Sequence, residues 1–126
     1  MDWLIEFTKD SNYVKVTLTG DFNASDHRRM IADILAQKDW QSGMNLLIDS
    51  RLVDYSQATL DVMREAGSNM SRFESQIGSG KAAVLMETLL NFGKGRQFEM
   101  LAEDKSAANI RIFLDESQAV QWLSGN

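Results

Sequence analysis

The stretch 45-NLLIDSRLVDYS-56 begins with a short, unbroken apolar run and continues into polar residues. An apolar run without alternating polar positions is typical of a β-strand that is covered on both faces. Residues 81–86 form a second run of this kind, and residues 110–113 read as a last strand. Strands buried on both faces belong to parallel sheets with helices packed against them. These runs therefore predict an α/β fold.

The segments around these strands complete the predicted order. Residues 3–8 and 13–19 are rich in β-forming residues and are separated by a turn cluster, which predicts an N-terminal hairpin. Helical spacing predicts helices from about 25 to 38, from Ser56 to 77, from Thr88 to about 102 and after Asp115. The expected order is ββαβαβαβα, a mostly parallel sheet of about five strands with about four helices. We expect residues 1–126 to form one such domain.

Composition limits the classes of function. The chain has 126 residues, a net charge of −5 and no cysteine. An acidic surface repels a phosphate backbone, so nucleic acid is not an expected partner. No apolar run approaches the roughly 20 residues that a membrane-spanning helix needs, and the first residues lack the pattern of a signal peptide. The composition is compatible with a reducing cytoplasm, where we expect the protein to work.

Two features that resemble catalytic motifs are better explained without catalysis. The segment 78-GSGK-81 looks like the end of a phosphate-binding loop, but Ala82 follows the lysine and the segment leads from a helix into a strand. His27 is the single histidine, and with no cysteine it lacks partners for a metal site or a catalytic triad. We expect His27 to be an exposed residue of a first helical turn. The sequence predicts no enzyme, no metal and no cofactor.

A pair of glycines interrupts the third predicted helix, at Gly93 and Gly95. Each glycine inside a helix costs about 1 kcal/mol relative to alanine. Such a cost is accepted where a neighbour packs closely or where a ligand approaches the backbone. Close packing is the favoured explanation, and ligand approach stays open.

Several motifs together resemble a known family. Residues 46–56 resemble the central strand and following loop of STAS domains. The segments 92-FGKGRQF-98 and 115-DESQAVQWL-123 resemble the F-G-x-x-R and D-E-x-x-A-x-x-W-L patterns of the SpoIIAA-like (STAS/SEC14-domain) family of small bacterial proteins. The resemblance spans about Thr17 to Leu123 and implies a STAS-like fold.

The resemblance also bears on phosphorylation. Classical STAS antagonists are phosphorylated on a serine within an Asp-Ser-Ser-Gly-like stretch. Here Asp54 matches the aspartate, Tyr55 stands at the first serine, Ser56 matches the second serine and Gln57 replaces the glycine. Ser56 is therefore a candidate phosphorylation site. Its simpler role is to cap the following helix, and that role is favoured.

Two functions from different classes remain. The first is a regulatory or protein-interaction module whose partner is unknown, with a surface formed by Asp49, Arg51, Asp54, Tyr55 and Ser56. It predicts an exposed Tyr55 as aromatic anchor and no internal cavity.

The second function is a carrier of a hydrophobic, lipid-like ligand. Its candidate ligand-proximal residues are Phe92, Gly93 and Arg96, and it predicts an apolar cavity near them. Seven methionines could supply adaptable pocket walls. A homodimer through the edge of the N-terminal hairpin or through the last helix is a further expectation.

Overall fold

The computed structural model describes residues 1–103 and 109–125, apart from the side chains at 97, 98 and 100–103. In chain order the elements of this part are β1 (Asp2–Phe7), β2 (Tyr13–Asp21), α1 (Ala24–Ala36), β3 (Asn45–Asp54), α2 (Leu60–Arg72), α3 (Glu74–Ile77), β4 (Lys81–Leu85), α4 (Leu89–Glu103), β5 (Asn109–Phe113) and α5 (Glu116–Ser124). The predicted α/β order is confirmed. The four-residue helix α3, directly after α2, is an addition to it.

The five strands form one sheet in the order β1-β2-β3-β4-β5. β1 pairs antiparallel with β2, and each later strand pairs parallel with the one before it. The mostly parallel sheet and the N-terminal hairpin are therefore as predicted. β1 and β5 are the edge strands.

The helices divide unequally between the two faces of the sheet. Because side chains alternate along a strand, Leu46 and Ile48 of β3 join the larger core cluster, while Leu47 joins a separate, smaller one. The larger cluster includes buried residues of α1 and α2, and Phe92 of α4 packs against it. The smaller cluster is closed by Ala119 and Leu123 of α5.

β3 is longer than the sequence indicated. Residues 50–54, expected to form a loop, continue the strand to Asp54. Thr17 pairs with Asp49 and Thr19 pairs with Leu52, so β3 holds one extra residue between these pairs. Such an extra residue reverses the alternation of side chains beyond it. As a result, Val53 lies in the larger core cluster although Leu52 is exposed.

Side-chain caps begin four of the helices. At the start of α4 the Asn91 backbone N–H donates to Thr88 Oγ1 at 3.1 Å, where the sequence predicted this helix to begin. Asn23 accepts from the Asp26 backbone N–H at the start of α1. Asp115 accepts from the Gln118 N–H at the start of α5, as predicted. The expected cap of α2 at Ser56 is wrong, because Thr59 supplies it through Oγ1 and the Val62 N–H. β3 runs so far that the chain needs residues 55–59 to turn back before the helix begins.

Candidate functional site

An apolar cavity of about 70 Å³ lies between the sheet and helices α1 and α2. β3 and β4 form its floor with Leu46, Ile48, Ala82 and Val84. Its walls are almost entirely carbon and sulfur. The interaction-module hypothesis predicted no internal cavity, and this prediction is wrong.

The two ends of the cavity differ in their access to solvent. Leu35 and Trp40 line one end and are only half-buried. Phe22, His27 and Tyr55 line the other end, and each is 7% exposed or less. Phe22 stacks on Tyr55 with ring centroids 5.1 Å apart. The cavity therefore has a closed aromatic end and an end near the surface.

Four of the seven methionines of the chain line this cavity: Met30, Met63, Met70 and Met86. All four are buried, at 6% exposure or less. Methionine has three rotatable side-chain bonds and a polarisable sulfur, so it adapts to differently shaped neighbours. The walls of the cavity can thus change shape at modest cost.

Tyr55 is buried at 3% exposure, so the expectation of an exposed aromatic anchor is wrong. The extra residue in β3 reverses the alternation and turns Tyr55 into the core. Burial raises the pKa of Tyr55 to about 12, and a hydrogen bond with Ser50 opposes part of that rise. The tyrosine is consequently neutral at physiological pH.

Ser50 is a buried polar residue that the sequence did not single out. Its Oγ lies 2.6 Å from the backbone carbonyl oxygen of Leu85 and 3.3 Å from Met86 Sδ. The hydroxyl thus links β3 to the end of β4 beside the cavity. Its position two residues after the apolar run was the available signal, because the strand could have been extended through it.

His27 is also buried, so the expectation of an exposed histidine is wrong. Asn69 Nδ2 donates to the carbonyl oxygen of Ala24 at 3.0 Å and to His27 Nδ1 at 3.2 Å. Burial lowers the pKa of His27 to about 4. The neutral ring accepts at Nδ1 because the Asn69 amide can only donate there.

The candidate interaction residues separate into two groups. Arg51 donates through Nε and Nη2 to both carboxylate oxygens of Asp49, at 2.9 and 2.8 Å, and through Nη2 to Glu116 Oε1 at 2.9 Å. The Arg51 guanidinium holds the pKa of Asp49 below its usual range. This cluster joins β3 to the start of α5, on the opposite face from the cavity.

Asp54 and Ser56 lie in the connection that follows β3. The Ser56 backbone N–H donates to Asp54 Oδ1 at 2.8 Å, and this bond lowers the pKa of Asp54. Both side chains are exposed. Lys94 of α4 donates from Nζ to the Tyr55 carbonyl oxygen at 2.5 Å and so ties this connection to α4. Phosphorylation of Ser56 stays a prediction, now without a helix cap as its competing role.

The candidate ligand-proximal residues on α4 are not among the described residues that line the cavity. Phe92 is half-buried and packs against the larger core cluster. Gly93 is exposed, with open space where a Cβ would project. Arg96 is exposed and pairs with Glu99 at 3.0 Å. The cavity is displaced from these positions toward α1 and α2.

In residues 1–103 and 109–125, no group of three or more acidic, histidine or cysteine side chains is placed to hold a metal ion. Within the same part of the chain, no helix combines the length and apolarity needed to cross a membrane.

Comparisons with known proteins address the fold. No protein-family model and no curated protein matches the chain. The chain is similar to a solved structure of an uncharacterised DUF3478-family protein with a SpoIIAA-like fold from Shewanella loihica PV-4. The TM-score is 0.59 at 18% sequence identity, and the match covers 97% of this chain and 92% of that one. The resemblance drawn from the sequence motifs is therefore confirmed at the level of architecture, and the chain has a SpoIIAA-like fold.

Proposed function

We propose that this SpoIIAA-like domain is a non-enzymatic binding module that holds a small apolar ligand in the cavity beneath α1 and α2. The observation that carries the proposal is the cavity itself, about 70 Å³ between the sheet and two helices. Small-molecule sites are concave and mostly apolar, with a few polar groups, and this cavity has those properties. The half-buried Leu35 and Trp40 provide a route of entry.

The energetics of the cavity support occupancy. An unfilled apolar cavity lowers stability by about 24 cal/mol per Å³, which for this volume is about 2 kcal/mol. An apolar ligand would recover part of that free energy by restoring the missing contacts. The four methionine side chains would adjust to ligands larger than the resting volume.

The absence of catalysis is part of the proposal. His27, the single histidine of the chain, is neutral at physiological pH and buried, which favours a wall of a binding site over an acid or base. We place the protein in the cytoplasm, because a chain without cysteine has no need of an oxidising compartment.

The test is a titration of the protein with toluene, followed by thermal unfolding and by the fluorescence of Trp40 at the entrance. We expect toluene to raise the melting temperature of the wild type. Ala82 lies on the cavity floor, so Ala82→Leu should fill the space and abolish the toluene-dependent rise. Leu89→Gln is the control, because Leu89 is 77% exposed and is not among the lining residues.

A wild type that shows no toluene-dependent stabilisation would contradict the proposal. So would an Ala82→Leu variant that remains folded and binds toluene as well as the wild type. A rise that is lost in both Ala82→Leu and Leu89→Gln would indicate binding at the surface instead.

A regulatory or protein-interaction role is the second candidate. The observation that favours it is a set of exposed leucines at or just beyond the carboxyl-terminal ends of the parallel strands β3, β4 and β5: Leu52, Leu60, Leu89, Leu90 and Leu114. Solvent-exposed apolar side chains grouped at one edge are common at protein interfaces. Since Tyr55 is buried, these leucines would replace it as anchors. The toluene titration separates the two candidates, because an interaction surface would not respond to Ala82→Leu.

A further inference from the structure

The residues that line the cavity show where it comes nearest to solvent. Among the described lining residues, all are buried apart from Leu35, near the end of α1, and Trp40, in the connection from α1 to β3. A side chain that lines a cavity and is also partly exposed lies between the cavity and the solvent. A molecule that enters by the shortest route therefore passes Leu35 and Trp40.

The indole of Trp40 is held at this opening by a hydrogen bond. Its Nε1–H donates to the backbone carbonyl oxygen of Gln76, in α3, at 3.1 Å. An indole has a single donor, so this bond uses it fully. Because Ile77, the next residue of α3, also lines the cavity, the bond holds the ring between two of its walls. The bond is exposed, so water can replace it at a modest net cost.

The backbone beside the ring forms a fixed frame. The Gly43 N–H donates to the Ile77 carbonyl oxygen at 2.9 Å, which joins the α1–β3 connection to the end of α3. Gly78 follows with a φ of +77°, and a Cβ there would lie 2.6 Å from the Gly43 nitrogen. The Trp40 N–H is itself bonded to the Gln37 carbonyl oxygen at 3.0 Å. The two segments thus touch backbone to backbone, and the side chain of Trp40 is the part that can move without separating them.

We propose that Trp40 is the gate of the cavity: its ring covers the opening while it is bonded to Gln76 and turns into solvent when a ligand enters or leaves. The inference rests on the proposed function and adds the control of ligand exchange at the same site. Entry and release pass through the same open state, so the gate changes both rates by the same factor. The affinity depends on the free and the occupied closed forms, so it is set by the other walls.

The experiment measures the association rate, the dissociation rate and the dissociation constant of 4-fluorotoluene by fluorine NMR, which needs no tryptophan signal. Trp40→Phe keeps an aromatic ring at the opening and removes the donor. We expect both rates to rise about fivefold, the factor that corresponds to the net loss of one exposed hydrogen bond. The dissociation constant should change by less than about twofold, because equal changes in the two rates cancel.

Trp3→Phe is the matched control. Trp3 Nε1 donates to Asp33 Oδ2 at 2.8 Å, which is another exposed indole bond, and Trp3 is not among the described residues that line the cavity. This variant should exchange the ligand at the rates of the wild type.

A second variant guards against misfolding of the first. A tryptophan analogue with sulfur in place of the indole N–H, incorporated at position 40, keeps the size of the ring and removes only the donor. It should reproduce the faster exchange at unchanged affinity, and it decides the matter if Trp40→Phe does not fold.

The outcomes separate the inference from the proposed function. If 4-fluorotoluene and toluene do not bind the wild type, the proposed function fails and the gate fails with it. If they bind and neither variant at position 40 exchanges faster, the site stands and the gate is overturned. Faster release with an unchanged association rate would also overturn it, because Trp40 would then be a wall that holds the ligand. Faster exchange in Trp3→Phe as well would show a general loosening of the domain and overturn it too.

Discussion

At the scale of single residues, His27 shows how burial in the core keeps a titratable side chain neutral. Its ring contacts Phe22, with centroids 5.8 Å apart, and accepts a hydrogen bond from Asn69. A charged imidazolium would lose hydration there and could no longer accept at Nδ1. Burial therefore lowers the pKa of His27 to about 4, from a reference value of about 6.5.

This depressed pKa makes stability depend on pH in a defined direction. Between pH 6.5 and pH 4 the unfolded chain binds a proton at His27 and the folded protein does not, so stability falls as pH falls. From pH 7 to pH 5 we expect a loss of about 2 kcal/mol in the free energy of unfolding. Urea unfolding at the two pH values measures it.

His27→Gln is the control for the pH dependence. The amide cannot titrate, so the variant should lose less than half as much stability over the same range, whatever its stability at pH 7. An equal loss in wild type and variant would show that other groups cause the dependence. Asp49, whose pKa is lowered by Arg51, contributes only below its ordinary range, at more acidic pH.

The residue scale is also where sequence reasoning was least successful. Asp49 and Arg51 were named together as candidate interaction residues, and the structure joins them in an ion pair. The environments of Tyr55 and His27 were not foreseen, because a polar tip on an aromatic ring is compatible with either surface or core. The extra residue in β3 places Tyr55 in the core, and the local sequence contains no signal for that extra residue.

At the scale of elements, α4 depends on a glycine for its distance from the sheet. A Cβ added at Gly95 would lie 3.0 Å from both Ile112 Cγ2 and Met86 Cε. Glu99 on the same helix accepts from the Ile112 backbone N–H at 3.1 Å, which holds α4 against β5. The helix therefore has little freedom to move outward.

The two glycines of α4 form a matched pair for mutation. Gly93→Ala meets open space, so it should stabilise the protein by up to about 1 kcal/mol through helix propensity. Gly95→Ala gains the same propensity but crowds the β-branched Ile112, so it should destabilise by about 1 kcal/mol net. Chemical denaturation of both variants measures the difference. Equal effects would show that contact with the sheet does not position α4.

Element prediction worked where the periodic signal was strong. The hairpin, β4 and the cap of α5 followed from apolar patterns and from Asp115. Close packing at the glycine pair was correctly favoured, although only Gly95 is tightly packed. The end of β3 and the cap at Thr59 were missed, because polar residues 49–51 look like a loop when their partners on α5 are unknown.

At the scale of the whole molecule, the sheet separates two core clusters that differ in how tightly they are packed. The face under α1 and α2 contains the cavity, whereas the face under α5 is a small cluster in which Leu47, Leu85, Ala119 and Leu123 are each 2% exposed or less. A side chain beside a cavity has fewer neighbours and loses fewer dispersion contacts when it is removed. We therefore expect side chains on the α5 face to be held rigidly and those on the cavity face to adjust more easily.

Leu46 and Leu47 test this asymmetry, because they are neighbours in β3 with side chains on opposite faces. Leu47→Ala should cost about 4–5 kcal/mol and Leu46→Ala about 2–3 kcal/mol, the upper and lower parts of the range for buried leucines. Toluene should recover more stability in Leu46→Ala than in the wild type, because that change enlarges the cavity. Its effect on Leu47→Ala should match the wild type. Urea unfolding with and without toluene measures all three, and equal costs with equal recovery would contradict a division of the molecule into a rigid and an adaptable face.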